Sequence, residues 1–328
     1  MAETGAPAWS IAVFAAREKI VDLEPTIASA IEASTSDTVI DLLVNGNRGL
    51  ADRLVALLAS AQFVSRSMHA SLRVWFIELG DKSHAWNQYL EFIWPGSEFA
   101  FYIDGYVRLR ADALQLLAQG LVNSPEHLAG TGVPTVGRSA QALRQQMLAQ
   151  GGIHGNLFVL KRAAMQRLRD IGFRLPLGLY RTDPTLGAAL AFSLDPARSS
   201  WNPKGRILVH PDVTWNTEER SIWKFTDLSS QIKRTLRQGQ GTLENLAVRD
   251  FFAVRKLSPE NLPKTAALLV SQWAVARRWD LAKALVRNPL AGLALRRLRI
   301  ARDWSAVSVP PVQLWPKCAS DQGQHSTP

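Results

Sequence analysis

Short apolar runs alternate with segments of helical periodicity along the first hundred residues of the chain. Four runs have the length and composition of buried strands: residues 10–15, 38–44, 71–79 and 99–103. Between them, apolar side chains recur every three or four positions, as at Ile20, Leu23, Ile27 and Ile31, which is the spacing of one helix face. This alternation predicts βαβ units and an α/β fold with a doubly wound, mainly parallel sheet flanked by helices.

The pattern changes in the second half of the chain. Residues 123–139 are rich in Gly, Pro, Ser and Thr and are expected to form a loop. A strand and a helix that ends at Gly172 follow, residues 206–215 supply another strand, and the pattern is mostly helical thereafter. We therefore expect three regions: an α/β domain over 9–215, a basic helical extension over 216–310 and a disordered tail over 311–328.

Composition narrows the range of partners without selecting one. The chain has 328 residues, of which 47% are hydrophobic, enough for a large buried core. Its net charge of +10 favours anionic partners such as nucleoside diphosphates, anionic lipid surfaces or nucleic acid. Cys318 is the single cysteine, which excludes an intrachain disulfide and a multi-cysteine zinc site. With no signal peptide and no apolar stretch of membrane-spanning length, we expect a cytoplasmic protein, either free or peripheral at the inner face of a membrane.

Polar residues directly after the strands are the candidates for chemistry, because ligands of doubly wound sheets bind beyond the carboxyl ends of the strands. Asp104 and Gly105 follow the fourth apolar run, where a carboxylate can face the ligand and a glycine lets a phosphate or metal approach the backbone. Asp104 is equally well explained as a turn or capping residue. The chain has no P-loop, GxGxxG, HExxH or GxSxG motif, which weakens the cases for an NTPase, a classical dehydrogenase, a zinc protease and an α/β-hydrolase.

The order and spacing of five segments resemble those of family 2 glycosyltransferases with the GT-A fold. The segments are SIAVFAARE, VNGN, GDKSHAWN, FYIDGYV and YRTDPTLGAAL, and the resemblance covers about residues 10–215. It implies the transfer of a sugar, with inversion, from a nucleoside diphosphate sugar to an acceptor hydroxyl. The implied acceptor is a saccharide or a lipid-linked molecule, as in the synthesis of cell-surface polysaccharides or glycolipids.

The resemblance also assigns roles to individual residues. Asp183 matches the catalytic base, and by its own sequence context it also suits a helix start. Asp104-Gly105-Tyr106 occupies the family's Asp-x-Asp position, which implies Mn²⁺ or Mg²⁺ held by Asp104, with His210 as a further ligand. The resemblance implies ten nucleotide-sugar-binding residues: Ala15, Arg17, Glu18, Asn45, Lys82, Asn87, Asp104, Gly105, Arg234 and Arg237. Four positions depart from the family pattern: Arg17, Asn45, Tyr106 and Thr182.

The extension carries eight basic residues and one acidic residue between Arg277 and Arg302. Asn288-Pro289 predicts the start of a basic amphipathic helix. Such a helix can lie on an anionic membrane, cover the α/β domain or pair with another subunit. Nucleic acid is a poorer candidate partner, because no nucleic-acid-binding motif accompanies the arginines.

Two alternatives to glycosyl transfer are left open. The four departures from the family pattern suit a non-catalytic binding or scaffold protein on a degenerate transferase fold. A nucleotidyltransferase would share the sheet architecture, but the chain lacks a Gly-rich basic loop after its first strand.

Overall fold

The computed structural model describes residues 6–35, 37–60, 70–135, 140–217 and 228–316, with side chains of the last range described from residue 237. Its strands are β1 Trp9–Ala15, β2 Thr38–Asn45, β3 Ala70–Ile77, β4 Phe99–Asp104, β5 Val107–Leu109, β6 Ala129–Pro134, β7 Leu157–Lys161, β8 Ile207–Thr217 and β9 Val312–Trp315. Within these ranges the strands form one sheet in the order β5-β8-β6-β7-β4-β1-β2-β3-β9.

Helices cover both faces of the sheet. They are α1 Ile20–Glu32, α2 Arg48–Leu58, α3 Lys82–Gln88, α4 Ala113–Val122, α5 Ala140–Gln150, α6 Arg162–Asp170, α7 Thr182–Ala191, α8 Leu228–Arg249, α9 Ala266–Ala276, α10 Arg278–Arg287 and α11 Leu290–Leu298. A π-helical turn, Tyr89–Ile93, extends α3, and another, Asp250–Val254, extends α8. The described helices include none that is long and apolar enough to cross a membrane.

The centre of the sheet is parallel, as the alternation of apolar runs and helical segments predicts. β4, β1, β2 and β3 pair in parallel, and β6 pairs in parallel with β8. Antiparallel pairing occurs between β4 and β7, β6 and β7, β5 and β8, and β3 and β9. The α/β fold is therefore confirmed, with a mixed sheet whose parallel core carries the first four predicted strands.

The segment expected to be a loop contains a buried strand, β6. Its sequence AGTGVP has the composition of a turn, yet all six residues are buried between β7 and β8. A Cβ atom at Gly132 would lie 2.7 Å from the carbonyl oxygen of Val213, so only glycine allows β8 to approach so closely. Glycine, which suggests a loop in the sequence, is at Gly132 a requirement of the close packing between β6 and β8.

The beginning of the segment expected to be disordered is also a strand, which corrects the prediction for that part. β9 pairs antiparallel with β3 and covers the edge of the sheet. Leu314 and Trp315 are half-buried and pack against the hydrophobic core. An exposed edge of β3 offers unpaired backbone groups, and β9 satisfies them. Residues 317–328 lie outside the described residues.

Two hydrophobic clusters lie on opposite faces of the sheet. One contains α1, α2 and α4 packed on β1, β2 and β3. The other joins Tyr102 of β4 and Phe158 of β7 to Leu243 of α8, Trp273 of α9 and Ala291 of α11. The helical extension therefore covers one face of the sheet, which is one of the three arrangements that its amphipathic sequence left open.

Candidate functional site

Charged side chains meet at the carboxyl end of the central parallel strands. Asp104 ends β4, and Lys82 begins α3 in the segment that follows β3. The Lys82 ammonium forms an ion pair with Oδ1 of Asp104. The Tyr106 hydroxyl donates to Oδ2 of the same carboxylate at 3.0 Å. Both oxygens of Asp104 are thus engaged by side chains of this chain.

Lys82 keeps its positive charge in this site. Burial lowers the pKa of Lys82, but the carboxylates of Asp104, Asp183 and Glu18 raise it by more, so that the net pKa lies above its usual value. The ammonium also lies 5.5 Å from the centre of the Phe14 ring. Its side chain is 36% exposed, which leaves it accessible to a bound anion.

Asp183 lies in the first turn of α7, where its carboxylate contacts Gly155 in the turn that precedes β7. The Gly155 N–H donates to Oδ2 of Asp183 at 3.2 Å. A Cβ atom at Gly155 would lie 3.2 Å from Cγ of Asp183, so the glycine permits this close contact. The predicted helix start at Asp183 is confirmed. At the same time, the Asp183 carboxylate is held close to the charged cluster. Its negative charge contributes to the raised pKa of Lys82 and of Tyr106.

His154 belongs to the same cluster and is not among the site residues predicted from the sequence. Its Nδ1 accepts from the Asn156 N–H at 3.2 Å, and its ring lies 4.9 Å from that of Trp215. Burial lowers the pKa of His154, and Lys82 lowers it further, against the opposing carboxylates of Asp183 and Asp104. The available signal was a histidine within the glycine-rich turn GGIHGN before a predicted strand.

The loop after β1 is shaped by its own residues. The Glu18 carboxylate accepts from the backbone N–H groups of Ala16 (2.6 Å) and Arg17 (2.9 Å). Gly105 donates its N–H to the carbonyl oxygen of Phe14 at 2.9 Å, and a Cβ atom at Gly105 would meet that oxygen at 2.9 Å. The close approach at Gly105 is therefore to the backbone at the end of β1, and the approach of a phosphate or metal at this glycine stays a prediction.

Two asparagines predicted to contact the nucleotide-sugar are engaged by backbone. The Asn45 amide, with its nitrogen directed at Ala15, donates to that carbonyl at 3.0 Å and accepts from the Asp81 N–H at 3.2 Å. Asn87 forms two hydrogen bonds with the backbone of Leu175, at 2.9 and 2.8 Å. Both side chains are buried, so they hold loops around the site together.

The loop that leads to Asp183 is anchored by two carboxylates. Asp81 accepts from the Gly178 N–H at 2.9 Å. Glu244 of α8 accepts from the N–H groups of Tyr180 at 3.0 Å and Arg181 at 3.2 Å. Burial raises the pKa of Glu244, although these hydrogen bonds oppose the shift. Helix α8 therefore holds the loop that precedes Asp183 and so positions this candidate catalytic base.

The same helix carries the two arginines predicted to clamp a diphosphate. Arg237 is half-buried on α8, about two helical turns before Glu244. The side chain of Arg234 lies outside the described residues. The proposed clamp therefore stays a prediction.

The structure does not bring His210 to Asp104. β8 is three strands from β4, and strand pairing places Val209, Thr131, Phe158 and Tyr102 level with one another across the sheet. At about 4.8 Å per strand, the two positions are roughly 14 Å apart. His210 instead packs near Gly120 of α4. Within the described part of the chain, no three His, Cys, Asp or Glu side chains form a group able to hold a metal ion.

The lowered pKa of His154 predicts a loss of stability in acid. The unfolded chain, with an ordinary histidine pKa of about 6.5, takes up a proton before the folded protein does. The free energy of unfolding therefore falls as the pH drops below that value, by at most about 1.4 kcal/mol per pH unit. His154→Asn, whose side-chain oxygen can replace Nδ1 as an acceptor, should reduce this slope.

Urea unfolding at pH 7.5, 6.5 and 5.5 measures the effect. His84, whose pKa burial also lowers, retains its own contribution, so we expect part of the slope to persist in the variant. Equal slopes in the variant and the unmodified protein would show that His154 does not resist protonation.

Comparison with known proteins supports the fold. No protein-family model and no curated protein matches the chain. The solved mannosyltransferase PcManGT from Pyrobaculum calidifontis, in complex with GDP-Man and Mn²⁺, is 18% identical, with a TM-score of 0.54 over 92% of this chain and 78% of that chain. S. aureus TarS 1-349 in complex with UDP-GlcNAc is 12% identical, with a TM-score of 0.46 over 89% of this chain and 91% of that chain. The match to the mannosyltransferase shows that the chain has the GT-A fold.

Proposed function

We propose that this protein transfers a sugar from a nucleoside diphosphate sugar to an acceptor hydroxyl, with inversion at the anomeric carbon. The observation that carries the proposal is the cluster of Lys82, Asp104 and Asp183 at the carboxyl edge of the parallel strands. Positive charge for a diphosphate and a carboxylate for an acceptor proton occur there together. The fold shared with the solved mannosyltransferase supports the same chemistry.

Asp183 acts as the general base. The Gly155 N–H holds one carboxylate oxygen, Oδ2, and thereby orients the group. The acceptor hydroxyl gives its proton to Asp183 and attacks the anomeric carbon from the face opposite the diphosphate. The bond between that carbon and the diphosphate oxygen breaks, and the leaving group takes the electron pair.

Lys82 stabilises the departing diphosphate. Its raised pKa keeps it cationic through neutral pH, and its partial exposure makes it accessible to a phosphate oxygen. A fixed positive charge in a partly buried site stabilises developing negative charge more strongly than a charge in water does. Asp104 holds the ammonium in place through the ion pair.

The donor set does not fit the divalent cation that the family resemblance implies. Asp104 offers one carboxylate, and Lys82 and Tyr106 engage both of its oxygens. Burial and the neighbouring carboxylates raise the pKa of Tyr106, which therefore remains a hydroxyl donor. In the proposed mechanism, Lys82 supplies the positive charge that neutralises the diphosphate. The Mn²⁺ and GDP-Man of the mannosyltransferase complex are ligands of that protein.

The remaining predicted contacts belong to the donor pocket. Ala15, Arg17 and Glu18 would line the nucleotide, with Gly105 providing close backbone approach and Arg237 reaching the diphosphate. Asn45 would shape the base pocket through the loop that it holds.

The acceptor is a saccharide or a lipid-linked molecule at an anionic membrane surface. Trp279 and Val286 on α10 are each 82% exposed, and the arginines Arg278 and Arg287 lie beside them in sequence. Aromatic and apolar side chains among cations suit the interface of an anionic bilayer.

A panel of nucleoside diphosphates and their sugars tests donor binding. We expect one nucleoside diphosphate sugar to raise the Tm by roughly 5 °C at a concentration 100 times its Kd. The panel is measured with and without Mn²⁺, and a nucleoside monophosphate provides the matched control. A Tm that no nucleoside diphosphate or sugar nucleotide changes, with or without Mn²⁺, would contradict the proposed function.

A non-catalytic binding protein on this fold is the second candidate. Its support is Tyr106, which stands at the second acidic position of the Asp-x-Asp pattern and occupies an oxygen of Asp104. That function predicts stabilisation by a sugar nucleotide in the panel without release of nucleoside diphosphate.

A further inference from the structure

A cavity of about 440 Å³ lies between the helices of the extension, outside the charged cluster. Helices α9, α10 and α11 and the loop at Gly178 form its walls. Its inner lining is apolar and includes Leu177, Ala274, Leu281 and Leu298. The volume and the apolar lining are those of sites that bind small organic molecules.

Three arginines line the same cavity: Arg278, Arg299 and Arg302. All three are exposed, and none of them forms a salt bridge with any described residue. By contrast, the neighbouring Arg277 pairs with Asp250 at 2.7 Å. The lining contains no Asp or Glu. The cavity therefore combines an apolar interior with three arginines and no carboxylate in its lining, although the charge of Arg302 also acts on Asp81 outside it and opposes the effect of burial on the pKa of that carboxyl.

We propose that this cavity is a binding site for an amphiphilic anion, an apolar chain that carries a phosphate headgroup. The chain would lie against the leucines and alanines, where its burial removes apolar surface from water. The headgroup would bind the guanidinium groups, whose planar donor geometry matches phosphate oxygens. Trp304, with its ring 6.0 Å from the Arg302 guanidinium, adds an aromatic wall.

The cavity adjoins the loop that holds the catalytic candidate. Gly178 lines the cavity and also donates its N–H to Asp81, the residue before Lys82. A Cβ atom at Gly178 would lie 3.2 Å from Nη1 of Arg302, so this arginine reaches that loop. The bound amphiphile is thus placed to carry the acceptor, with the attacking hydroxyl on a sugar attached to its phosphate and near the loop that leads to Asp183. This assignment as acceptor rests on the proposed function, whereas the binding itself does not.

Calorimetric titration with decyl phosphate tests the binding. Decanol and inorganic phosphate are titrated in parallel, to separate the contributions of chain and headgroup. We expect decyl phosphate to bind at least tenfold more tightly than either, and octyl phosphate roughly tenfold more weakly than decyl phosphate because it has two fewer methylene groups.

Two variants locate the site. The double variant R278E/R299E should weaken decyl phosphate binding by roughly tenfold or more, because it removes two cations that line the cavity. Its matched control is R296E/R297E, which makes the same change of charge at exposed arginines of α11 outside the cavity lining. Ser271→Trp fills the cavity without changing its charge and should also weaken binding.

Three outcomes of the titrations would overturn the proposed binding site. Equal weakening by R278E/R299E and R296E/R297E would show general attraction to a basic surface and overturn the proposal. Binding of inorganic phosphate as tight as that of decyl phosphate, or unchanged binding in Ser271→Trp, would overturn it as well. Because the titrations contain no sugar nucleotide, a failure here is separate from a failure of the donor panel.

Discussion

Asp183→Asn is expected to reduce sugar transfer by roughly 10³-fold while leaving donor binding within about twofold of the unmodified protein. A positioned general base contributes about 10²–10⁴ to the rate, and asparagine cannot accept the acceptor's proton. The substitution preserves the shape of the side chain, and its amide oxygen can still accept from the Gly155 N–H. The loop and helix α7 should therefore keep their conformation.

Release of nucleoside diphosphate, with water or an acceptor sugar as nucleophile, measures the rate of transfer. Calorimetric titration with the donor measures binding. Asp212→Asn is the matched control, because it makes the same change at an exposed position of β8. Full activity in Asp183→Asn would remove the residue from the mechanism, and equal losses of binding and rate would assign it to the donor pocket.

Lys82→Met should lower kcat by about 10²–10³ and also weaken the donor. A preorganised charge directed at the leaving group contributes about this much to transition-state stabilisation. Methionine keeps the length and apolar stem of lysine, so the side chain can still pack beside Phe14. The change leaves Asp104 with Tyr106 as its remaining side-chain partner.

Lys82→Arg distinguishes charge from structure. If positive charge on the diphosphate is the function of Lys82, arginine should restore part of kcat, with the remaining loss caused by its different donor geometry. Lys204→Met, at an exposed lysine, is the matched control. A Lys82→Met variant with unchanged kcat would shift the neutralising role to another group, and Mn²⁺ rescue of the variant would assign it to a metal.

The architecture of the parallel core could be predicted because its signals are local. Each apolar run is bounded by a turn or a helical segment, so β1, β2, β3 and β4 and their crossover helices were predictable from periodicity. β6 was not, because the reason for Gly132 is the approach of Val213 on β8, more than 70 residues away in the chain. β9 was missed because a four-residue strand is stabilised by the edge that it covers.

Part of the candidate site was also predictable from local sequence signals. Asp104, Lys82 and Asp183 follow strands or begin helices, and those positions face the ligand edge of the sheet. His154 precedes β7, which pairs antiparallel with β4, so its amino end meets the carboxyl end of β4. The antiparallel pairing of β7 with β4 is known only from the folded structure. The roles of Asn87 and Glu244 as anchors of distant loops also required the folded chain.

Periodicity and chain direction were enough to predict the α/β class, the parallel direction of the first four strands and the carboxylates at the strand ends. Which of these candidate residues meet depends on the folded chain. It joined Lys82 to Asp104, placed His154 beside Asp183 and kept His210 three strands away. It also folded the basic extension over the sheet and left a cavity with three arginines in its lining. The physical reason is that ion pairs and cavities form between residues far apart in sequence, and their distances depend on strand order and helix packing.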